Sequence, residues 1–418
     1  MKVVLSPTEL KGKVSAPPSN SCMHRALICA AAADKETVIR CESFSKDTEA
    51  TMACLRALGA EFDIKDGFVT VHPINKNNDG ECVLDCNESG STLRFMIPFA
   101  AALGRKCTFV GAQRLGKRPL KPLLDALREH GVTAEHGEDS FLPLKIEGKL
   151  TGGVFTLPGD ISSQFFTGAL LALGVVGGGR IKAIGRIESA PYIDITADIQ
   201  RQFGVDAVST ADGYSVKEGC LYISPGEFAV EGDWSNGAFW LVAGAIGGEI
   251  DCLNLRKDTL QGDSRVFDIL KLMGADIEWS TDGVKVRKSQ LHAVEIDCSD
   301  IPDIVPILCV AASQAEGTTV FRNIQRLRAK ESDRVQTTVD MLCALGGKIT
   351  FDENNITVTG TPLTGGITRS ANDHRIAMSS AVASIAAKGD VEIHGAEAVE
   401  KSYPDFYEKF TMLGGKVR

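Results

Sequence analysis

A glycine that ends a helix returns at nearly even intervals along this chain of 418 residues. In each case an amphipathic run stops at a glycine, the residue that most readily adopts the left-handed conformation at a helix C-terminus. The intervals between successive glycines are 72, 73, 70, 72 and 68 residues. Such regular spacing predicts six copies of one structural unit of about 70 residues. The six glycines are Gly59, Gly131, Gly204, Gly274, Gly346 and Gly414.

A second sequence feature repeats at the same interval of about 70 residues. Short polar segments precede strongly apolar runs, a pattern typical of a capped and buried helix. Each unit is therefore predicted to contain one buried helix, one amphipathic helix and several strands, which gives an α/β (α+β) fold class. Because the sixth unit stops after one short strand, we expect the N-terminal strand to pair with it. The polar starts are Ser21, Gly90, Ser162, Ser235, Asp303 and Asp373.

Charge and hydropathy exclude several classes of function. A net charge of −9 argues against a surface for nucleic acid or acidic membranes, but it is compatible with a local cationic pocket for a small anion. The longest apolar runs are shorter than the roughly 20 residues that a membrane-spanning helix needs. The N-terminus carries no apolar stretch of signal-peptide length. We therefore expect a cytoplasmic protein with no nucleic-acid or membrane partner.

The 12 cysteines are scattered along the chain, and no Cys-x-x-Cys motif occurs. Cys82 and Cys86 are the only close pair, and no histidine lies near them in the sequence. Most of the other cysteines stand in apolar runs, where cysteine behaves as a small hydrophobic residue. The sequence therefore predicts neither a metal site nor a disulfide framework.

Cationic residues gather near the polar helix starts. A helix N-terminus presents free N–H groups and a positive dipole end, so it favours an anion. The densest run is 322–334, where Lys330 and Arg334 would share a helix face and repel each other unless an anion is bound. The alternatives are ordinary helix caps and a solvated face on which Glu331 and Asp333 are the partners. Because the helix starts recur six times, a shared anion site is the favoured interpretation. The other cations are Arg25, Arg94, Arg114, Arg118, Arg375 and Lys401.

Eight short motifs, taken together, resemble those of the 5-enolpyruvylshikimate-3-phosphate (EPSP) synthase family of enolpyruvyl transferases. The resemblance extends from about Gly12 to the C-terminus. Each motif alone is weak evidence for the family, but chance does not explain all eight motifs in this order and at this spacing. The motifs lie at residues 18–27, 89–94, 162–165, 191–196, 301–303, 330–334, 372–375 and 401–405.

The resemblance implies a particular fold. The family has a two-domain inside-out α/β barrel built from six βαβαββ repeats, three in each domain, with the active site in the cleft between the domains. Carried onto this chain, it implies an N-terminal half at residues 13–228. The other half then comprises residues 1–12 and 229–418, so that the N-terminal strand returns to the C-terminal half.

The resemblance also implies a reaction. The family transfers the enolpyruvyl group of phosphoenolpyruvate to the 5-hydroxyl of shikimate 3-phosphate and releases phosphate, by addition followed by elimination. It uses no metal and no organic cofactor, and we expect a monomer here. Two phosphates and two carboxylates must be held together, which accounts for many Arg and Lys residues in a net-acidic protein.

Site residues follow from the resemblance by position. Asp303 is expected to accept the hydroxyl proton, Glu331 to protonate the methylene carbon, and Lys330 to act beside them. Asp303 could also cap the helix that follows Pro302. The residues expected on shikimate 3-phosphate are Asn20, Ser21, Arg25, Ser162, Ser163, Gln164, Ser189, Asp303, Arg326 and Lys330. Those expected on phosphoenolpyruvate are Asn20, Gly90, Arg114, Gln164, Arg334, Arg375 and Lys401.

Three positions depart from the family pattern. The family has lysine where this chain has Asn20, commonly asparagine where it has Glu88, and asparagine or another polar residue where it has Arg326. The lysine contacts both substrates. Its loss is expected to cost roughly 10- to 150-fold in transition-state stabilisation, because a charge-assisted hydrogen bond is worth about 1.5–3 kcal/mol.

Two alternative functions compete with this reaction. The sister enzyme that acts on UDP-N-acetylglucosamine carries a reactive cysteine where this chain has Gln113, so that alternative is disfavoured. An inactive or weakly active anion-binding relative is the other alternative, and Asn20 is its only support. We expect reduced but real activity.

Overall fold

The structure is a computed structural model that describes residues 1–41, 43–75, 80–112 and 114–418. The chain divides into two compact units. We call residues 18–230 the continuous unit, and residues 1–17 together with 231–418 the split unit. Within the described residues, no helix is both long and apolar enough to cross a membrane.

The first elements belong to the split unit and are strands β1 (Lys2–Ser6) and β2 (Leu10–Ser15). The continuous unit then follows in the order α1 (Asn20–Ala32), β3 (Thr37–Arg40), α2 (Lys46–Ala57), β4 (Glu61–Lys65), β5 (Phe68–His72), β6 (Cys82–Asp85), α3 (Gly90–Ala102), β7 (Cys107–Val110), α4 (Lys121–Glu129), β8 (Val132–Glu135), β9 (Leu144–Gly148), β10 (Val154–Pro158), α5 (Ser163–Val176), β11 (Gly179–Ile184), α6 (Ala190–Gln202), β12 (Ala207–Thr210), β13 (Gly213–Val216) and β14 (Glu227–Ala229).

The split unit continues with α7 (Trp234–Gly247), β15 (Gly248–Leu253), α8 (Arg265–Leu272), β16 (Asp276–Trp279), β17 (Gly283–Arg287), β18 (Leu291–His292), β19 (Glu295–Asp297), α9 (Val305–Ser313), β20 (Ala315–Glu316), β21 (Thr318–Arg322), α10 (Arg334–Ala344), β22 (Lys348–Phe351), β23 (Asn355–Thr359), β24 (Gly366–Arg369), α11 (His374–Ala386), β25 (Val391–His394), α12 (Phe406–Met412) and β26 (Lys416–Val417). Short 3-10 helices lie at Leu115–Lys117, Gly262–Ser264, Gln325–Ala329 and Ala396–Lys401.

The continuous unit contains three four-stranded sheets with the orders β14-β3-β5-β4, β6-β7-β9-β8 and β10-β11-β13-β12. In each sheet the first two strands are parallel, and the remaining pairs are antiparallel. In the second and third sheets a helix, α3 or α5, crosses between the parallel strands, since parallel strands cannot be joined by a short turn. The outer strand of the first sheet, β14, comes from the far end of the unit.

The split unit has the same arrangement in the sheets β16-β17-β15-β2, β19-β21-β23-β22 and β24-β25-β1-β26, together with a two-stranded sheet of β18 and β20. Strand β1 pairs with β26 through Leu5 and Val417. This pairing confirms the prediction that the N-terminal strand completes the last sheet.

The domain boundaries expected at residues 12/13 and 228/229 fall inside β2 and β14. The structure divides instead after Pro17 and after Val230. The shift has a direct cause, because β2 pairs with β15 along its whole length and therefore stays with the split unit.

The six periodic glycines all adopt left-handed backbone conformations, with φ between 80° and 105°. They follow helices α2, α4, α6, α8, α10 and α12, as the spacing predicted. The other six helices are almost wholly buried, and each unit has its own hydrophobic core around three of them. Their N-termini are the parts of these helices where polar side chains collect.

Candidate active site

Hydrogen bonds link the N-termini of three helices in the continuous unit. Ser45 caps α2 and donates its hydroxyl to the side-chain oxygen of Asn20 at 2.8 Å, which joins the starts of α1 and α2. The hydroxyl of Thr92, in the first turn of α3, lies 3.2 Å from the carbonyl of Asp47 and 2.8 Å from the hydroxyl of Thr51. The polar first turns of α1, α2 and α3 therefore lie close together.

Arg25 lies on α1 and is buried, with 2% of its surface exposed. Its guanidinium donates to the carbonyl of Ser21 at 2.6 Å, to the carbonyl of Tyr192 at 2.8 Å and to the hydroxyl of Thr196 at 2.7 Å. Burial lowers the pKa of Arg25 to about 10, which still leaves it charged near neutral pH. This arginine fixes the start of α1 against α6.

A guanidinium that the sequence had not assigned lies beside Gly90. A Cβ atom placed on Gly90 would be 2.4 Å from Nη1 of Arg118, and the three nearest atoms all belong to Arg118. Arg114, the expected residue, is an exposed residue preceding a 3-10 helix. The structure therefore places the guanidinium of Arg118 at the start of α3. Gln113 lies outside the described residues.

A polar chain links the starts of α3 and α5. Arg94 donates to the side-chain oxygen of Gln164 at 2.6 Å, and the amide of Gln164 donates to the hydroxyl of Ser91 at 2.9 Å. Arg94 also donates to the carbonyl of Pro119 at 3.1 Å, which fixes the residue next to Arg118. This link is a signal that points to Arg118, but it joins segments far apart in sequence.

Three of the four expected serines occupy two further helix starts. Ser162 caps α5 and accepts from the backbone N–H of Gln164, and Ser163 begins that helix. Ser189 precedes α6, is buried and has a left-handed backbone with φ of 54°. A non-glycine residue in that conformation is uncommon, and strained residues of this kind cluster at active sites and ligand clamps.

The split unit contains a cluster of charges around one buried arginine, which we call the Arg334 cluster. The guanidinium of Arg334 is 1% exposed and donates to the carboxylates of Asp303, Glu331 and Asp373. Burial opposes the charged form, but the three carboxylates hold the pKa of Arg334 well above its usual value. Lys330 completes the cluster through its ammonium group, 3.0 Å from Asp303.

Asp303 does not begin a helix. Helix α9 starts at Val305, and its cap residue is Ile304, which makes no side-chain capping bond. The carboxylate of Asp303 is engaged by Lys330 and Arg334 instead. Burial alone would raise the pKa of Asp303, but these cations hold it well below its usual value. The expected cap is therefore wrong, and the residue is an ionised carboxylate.

The remaining expected residues of the split unit lie on three neighbouring segments. Arg326 is part of a 3-10 helix, and its charge contributes to lowering the pKa of Lys330, after the larger effect of burial. Arg375 lies in the first turn of α11 and within electrostatic reach of Asp303. Lys401 donates to the carbonyl of Asn372 at 2.7 Å.

Histidine contributes no charge to the helix starts of the continuous unit or to the Arg334 cluster near neutral pH. His24 precedes Arg25 and His374 precedes Arg375, and both imidazoles are buried. Burial, helped by the neighbouring arginine, lowers the pKa of each histidine to about 3. Both imidazoles are therefore neutral near pH 7. Within the part of the chain that the structure describes, no cluster of His, Cys, Asp or Glu is arranged to hold a metal ion.

Comparisons with known proteins cover the whole chain. The family model described as EPSP synthase (3-phosphoshikimate 1-carboxyvinyltransferase) matches residues 4–410. A relative named 3-phosphoshikimate 1-carboxyvinyltransferase from Clostridium acetobutylicum is 40% identical over 420 residues, covering 99% of this chain and 98% of the relative. A relative of the same name from Halobacterium salinarum is 38% identical over 425 residues, covering 99% of each chain.

Solved structures resemble the fold over its full length. An EPSP synthase structure from Acinetobacter baumannii has a TM-score of 0.84 and 28% identity, and covers 100% of this chain and 99% of its own. The enolpyruvyl transferase NikO from Streptomyces tendae has a TM-score of 0.79, 19% identity and coverage of 100% and 98%, so that it bears on the fold alone. These neighbours agree with the α/β fold class.

Proposed function

The chain belongs to the EPSP synthase (3-phosphoshikimate 1-carboxyvinyltransferase) family, and on that premise we propose how its residues carry out the reaction. The enzyme is a transferase of the shikimate pathway, which serves aromatic amino acid biosynthesis. It moves the enolpyruvyl group of phosphoenolpyruvate to the 5-hydroxyl of shikimate 3-phosphate and releases phosphate. The relatives do not favour the sister activity on UDP-N-acetylglucosamine.

The architecture is proposed to be the inside-out α/β barrel of that family. The recurrence of one strand order in six four-stranded sheets supports six βαβαββ repeats, three in each unit. The residues of the two units are proposed to serve one pair of substrates. A monomeric state, a cytoplasmic location, and the lack of cofactors and of nucleic-acid or membrane partners stay predictions.

Shikimate 3-phosphate is proposed to bind at the helix starts that carry serines. Free N–H groups and hydroxyls at the starts of α1, α5 and α6 suit a phosphate and a polyol. Their positions support the assignment, because Ser162, Ser163 and Ser189 are all buried at such starts. The other residues proposed for this substrate are Asn20, Ser21, Arg25, Gln164, Asp303, Arg326 and Lys330.

Phosphoenolpyruvate is proposed to bind where cations meet the start of α3. Gly90 has no side chain to cover its backbone, and the guanidinium of Arg118 lies directly against this residue. A guanidinium beside free N–H groups is well suited to a phosphate. We therefore add Arg118 to the proposed set and keep Arg114, an exposed cation that precedes the same 3-10 helix. The other residues proposed here are Asn20, Gln164, Arg334, Arg375 and Lys401.

The Arg334 cluster is the single observation that carries the proposed mechanism. The hydroxyl of shikimate 3-phosphate adds to C2 of phosphoenolpyruvate while C3 takes a proton, and the tetrahedral intermediate then loses phosphate. Asp303 is proposed to accept the hydroxyl proton and Glu331 to supply the proton for C3. Both carboxylates share Arg334. An anion that binds Arg334 competes for that guanidinium, which raises the basicity of both carboxylates when substrate arrives.

Lys330 is proposed to hold charge beside Asp303. Its ammonium lies 3.0 Å from the carboxylate, and burial lowers the pKa of Lys330. A fixed cation at this place stabilises the negative charge that develops as the hydroxyl loses its proton.

Release of phosphate from phosphoenolpyruvate and shikimate 3-phosphate tests the function, with Asn20→Lys measured alongside. We expect turnover by the wild type, and a kcat/KM about 10- to 150-fold higher in the variant, because the added ammonium forms a charge-assisted bond with substrate. Turnover by the variant alone would favour an inactive relative. A variant no faster than wild type would refute the role given to position 20.

Gly90→Ala tests the assignment of Arg118. The new methyl group would lie 2.4 Å from Nη1 of Arg118, so the guanidinium must move away. Because the displaced group is the end of a flexible side chain, we expect the fold to tolerate the change. The KM for phosphoenolpyruvate should rise about tenfold or more, the cost of weakening one charge-assisted bond. Lys117→Gln is the matched control, because Lys117 is an exposed cation of the same loop with no proposed contact, and it should leave that KM nearly unchanged. An unchanged KM in Gly90→Ala would contradict the role given to Arg118.

A further inference from the structure

Two cysteine side chains meet on adjacent strands of the continuous unit. Cys82 begins β6 and Cys107 begins β7, and the two residues are direct partners in the parallel register. Their sulfur atoms are 2.7 Å apart, and both cysteines are free thiols. Directly opposed residues on neighbouring strands project from the same face of a sheet, so their Cβ atoms are within the reach of a disulfide. The two cysteines that are close in space are thus Cys82 and Cys107, which lie 25 positions apart in the sequence. The sequence alone had singled out Cys82 and Cys86.

The two thiols have different surroundings. Cys82 lies on an outer strand of its sheet with 9% of its surface exposed, whereas Cys107 is 1% exposed. The hydrogen bond from Cys107 and the charge of Arg105 lower the pKa of the Cys82 thiol, and the same pairing raises the pKa of Cys107. A thiol that is partly accessible and stabilised as a thiolate by a nearby cation is the kind that reacts with oxidants.

We propose that Cys82 and Cys107 form an oxidant-sensitive thiol pair that closes to a reversible intramolecular disulfide. With hydrogen peroxide as oxidant, the Cys82 thiolate attacks one peroxide oxygen, the O–O bond breaks, and the products are a sulfenic acid on Cys82 and hydroxide, which takes up a proton. The sulfur of Cys107 then attacks the sulfenic sulfur, forms the S–S bond and expels water after its own proton is lost. In sum, two thiols lose two electrons and two protons, and peroxide becomes two waters.

The bond would join two strands that lead into the proposed site. β6 runs toward Ser89, the cap of α3 and the neighbour of Gly90, while β7 leads into the segment that carries Arg118. The cross-link lies at the opposite ends of both strands, within their hydrogen-bonded ladder. The proposal concerns a covalent modification and does not rest on the catalytic assignment.

The test is oxidation of the full-length protein with a small excess of hydrogen peroxide, followed by alkylation, trypsin digestion without reductant and mass spectrometry. Trypsin should release peptides 77–94 and 107–114, and we expect them as one cross-linked species, lighter than their sum by two hydrogen atoms. Under denaturing conditions, the count of 12 reactive thiols should fall by two and return after treatment with dithiothreitol.

Cys86 shares the first peptide, so the fragment spectrum of the cross-linked species must place the bond on the Cys82 sulfur. Cys86→Ser is the matched control and should keep the cross-link, whereas Cys82→Ser should lose it. Recovery of Cys82 as an alkylated thiol or as a sulfinic acid, without the cross-link, would overturn the proposal. So would a cross-link through Cys86. Because the wild-type spectrum alone decides between these outcomes, the test stands even if a variant folds poorly.

Discussion

Replacing Asp303 by asparagine should lower kcat by about 10²- to 10⁴-fold, the usual contribution of a positioned proton acceptor. The amide keeps the size of the carboxylate but can no longer take the hydroxyl proton. In the wild type this carboxylate is ionised, because Lys330 and Arg334 hold its pKa well below the usual value. Steady-state phosphate release at saturating substrates measures the effect, and the KM values should change much less than kcat.

The change at Asp303 must be separated from damage to the fold. Arg334 keeps two other carboxylate partners, Glu331 and Asp373, so the cluster should survive the loss of one charge. Asp300→Asn is the matched control, since Asp300 is a half-buried carboxylate on the same segment and has no proposed part in the reaction. If the Asp303 variant retained more than about a tenth of the wild-type kcat, another group would have to be the proton acceptor.

Much of the fold was predictable because its signals are local. Gly59 and the five glycines that repeat it end helices through backbone geometry that depends on one residue. The buried helices were predictable because polar cap residues such as Ser19 and Asp373 precede an apolar run. The pairing of β1 with β26 was predictable by elimination, because the last unit lacked a partner strand.

The details of the site were less predictable because they depend on contacts between distant segments. Arg114 and Arg118 stand close together in the sequence, and the packing of Arg118 against Gly90 is visible only in the structure. Asp303 follows a proline and has the pattern of a cap, but two cations from residues 330–334 engage its carboxylate instead. The meeting of Cys82 with Cys107 likewise depends on strand register, which single-sequence patterns do not reveal.

Replacing Arg334 by methionine should destabilise the split unit by about 3–5 kcal/mol, the usual cost of removing one partner from a buried ion pair. The guanidinium is 1% exposed, and its removal leaves the wholly buried Asp373 without its cation. For a unit of this size the melting temperature should fall by roughly 6–20 °C. All three tryptophans of the chain, Trp234, Trp240 and Trp279, lie in the split unit, so tryptophan fluorescence during thermal or urea unfolding reports on that unit.

Arg287→Met is the matched control for this prediction. Arg287 also pairs with three carboxylates, those of Glu249, Asp276 and Glu278, but it does so at the surface of the same unit. Ion pairs that water can replace contribute little to folding, so this variant should unfold close to the wild type. Equal shifts in the two variants would mean that burial does not set the cost of losing Arg334. A small shift of the melting temperature in both variants would mean that the three carboxylates around Arg334 find other partners. The Arg334 cluster would then contribute less to the structure of the proposed site than its geometry indicates.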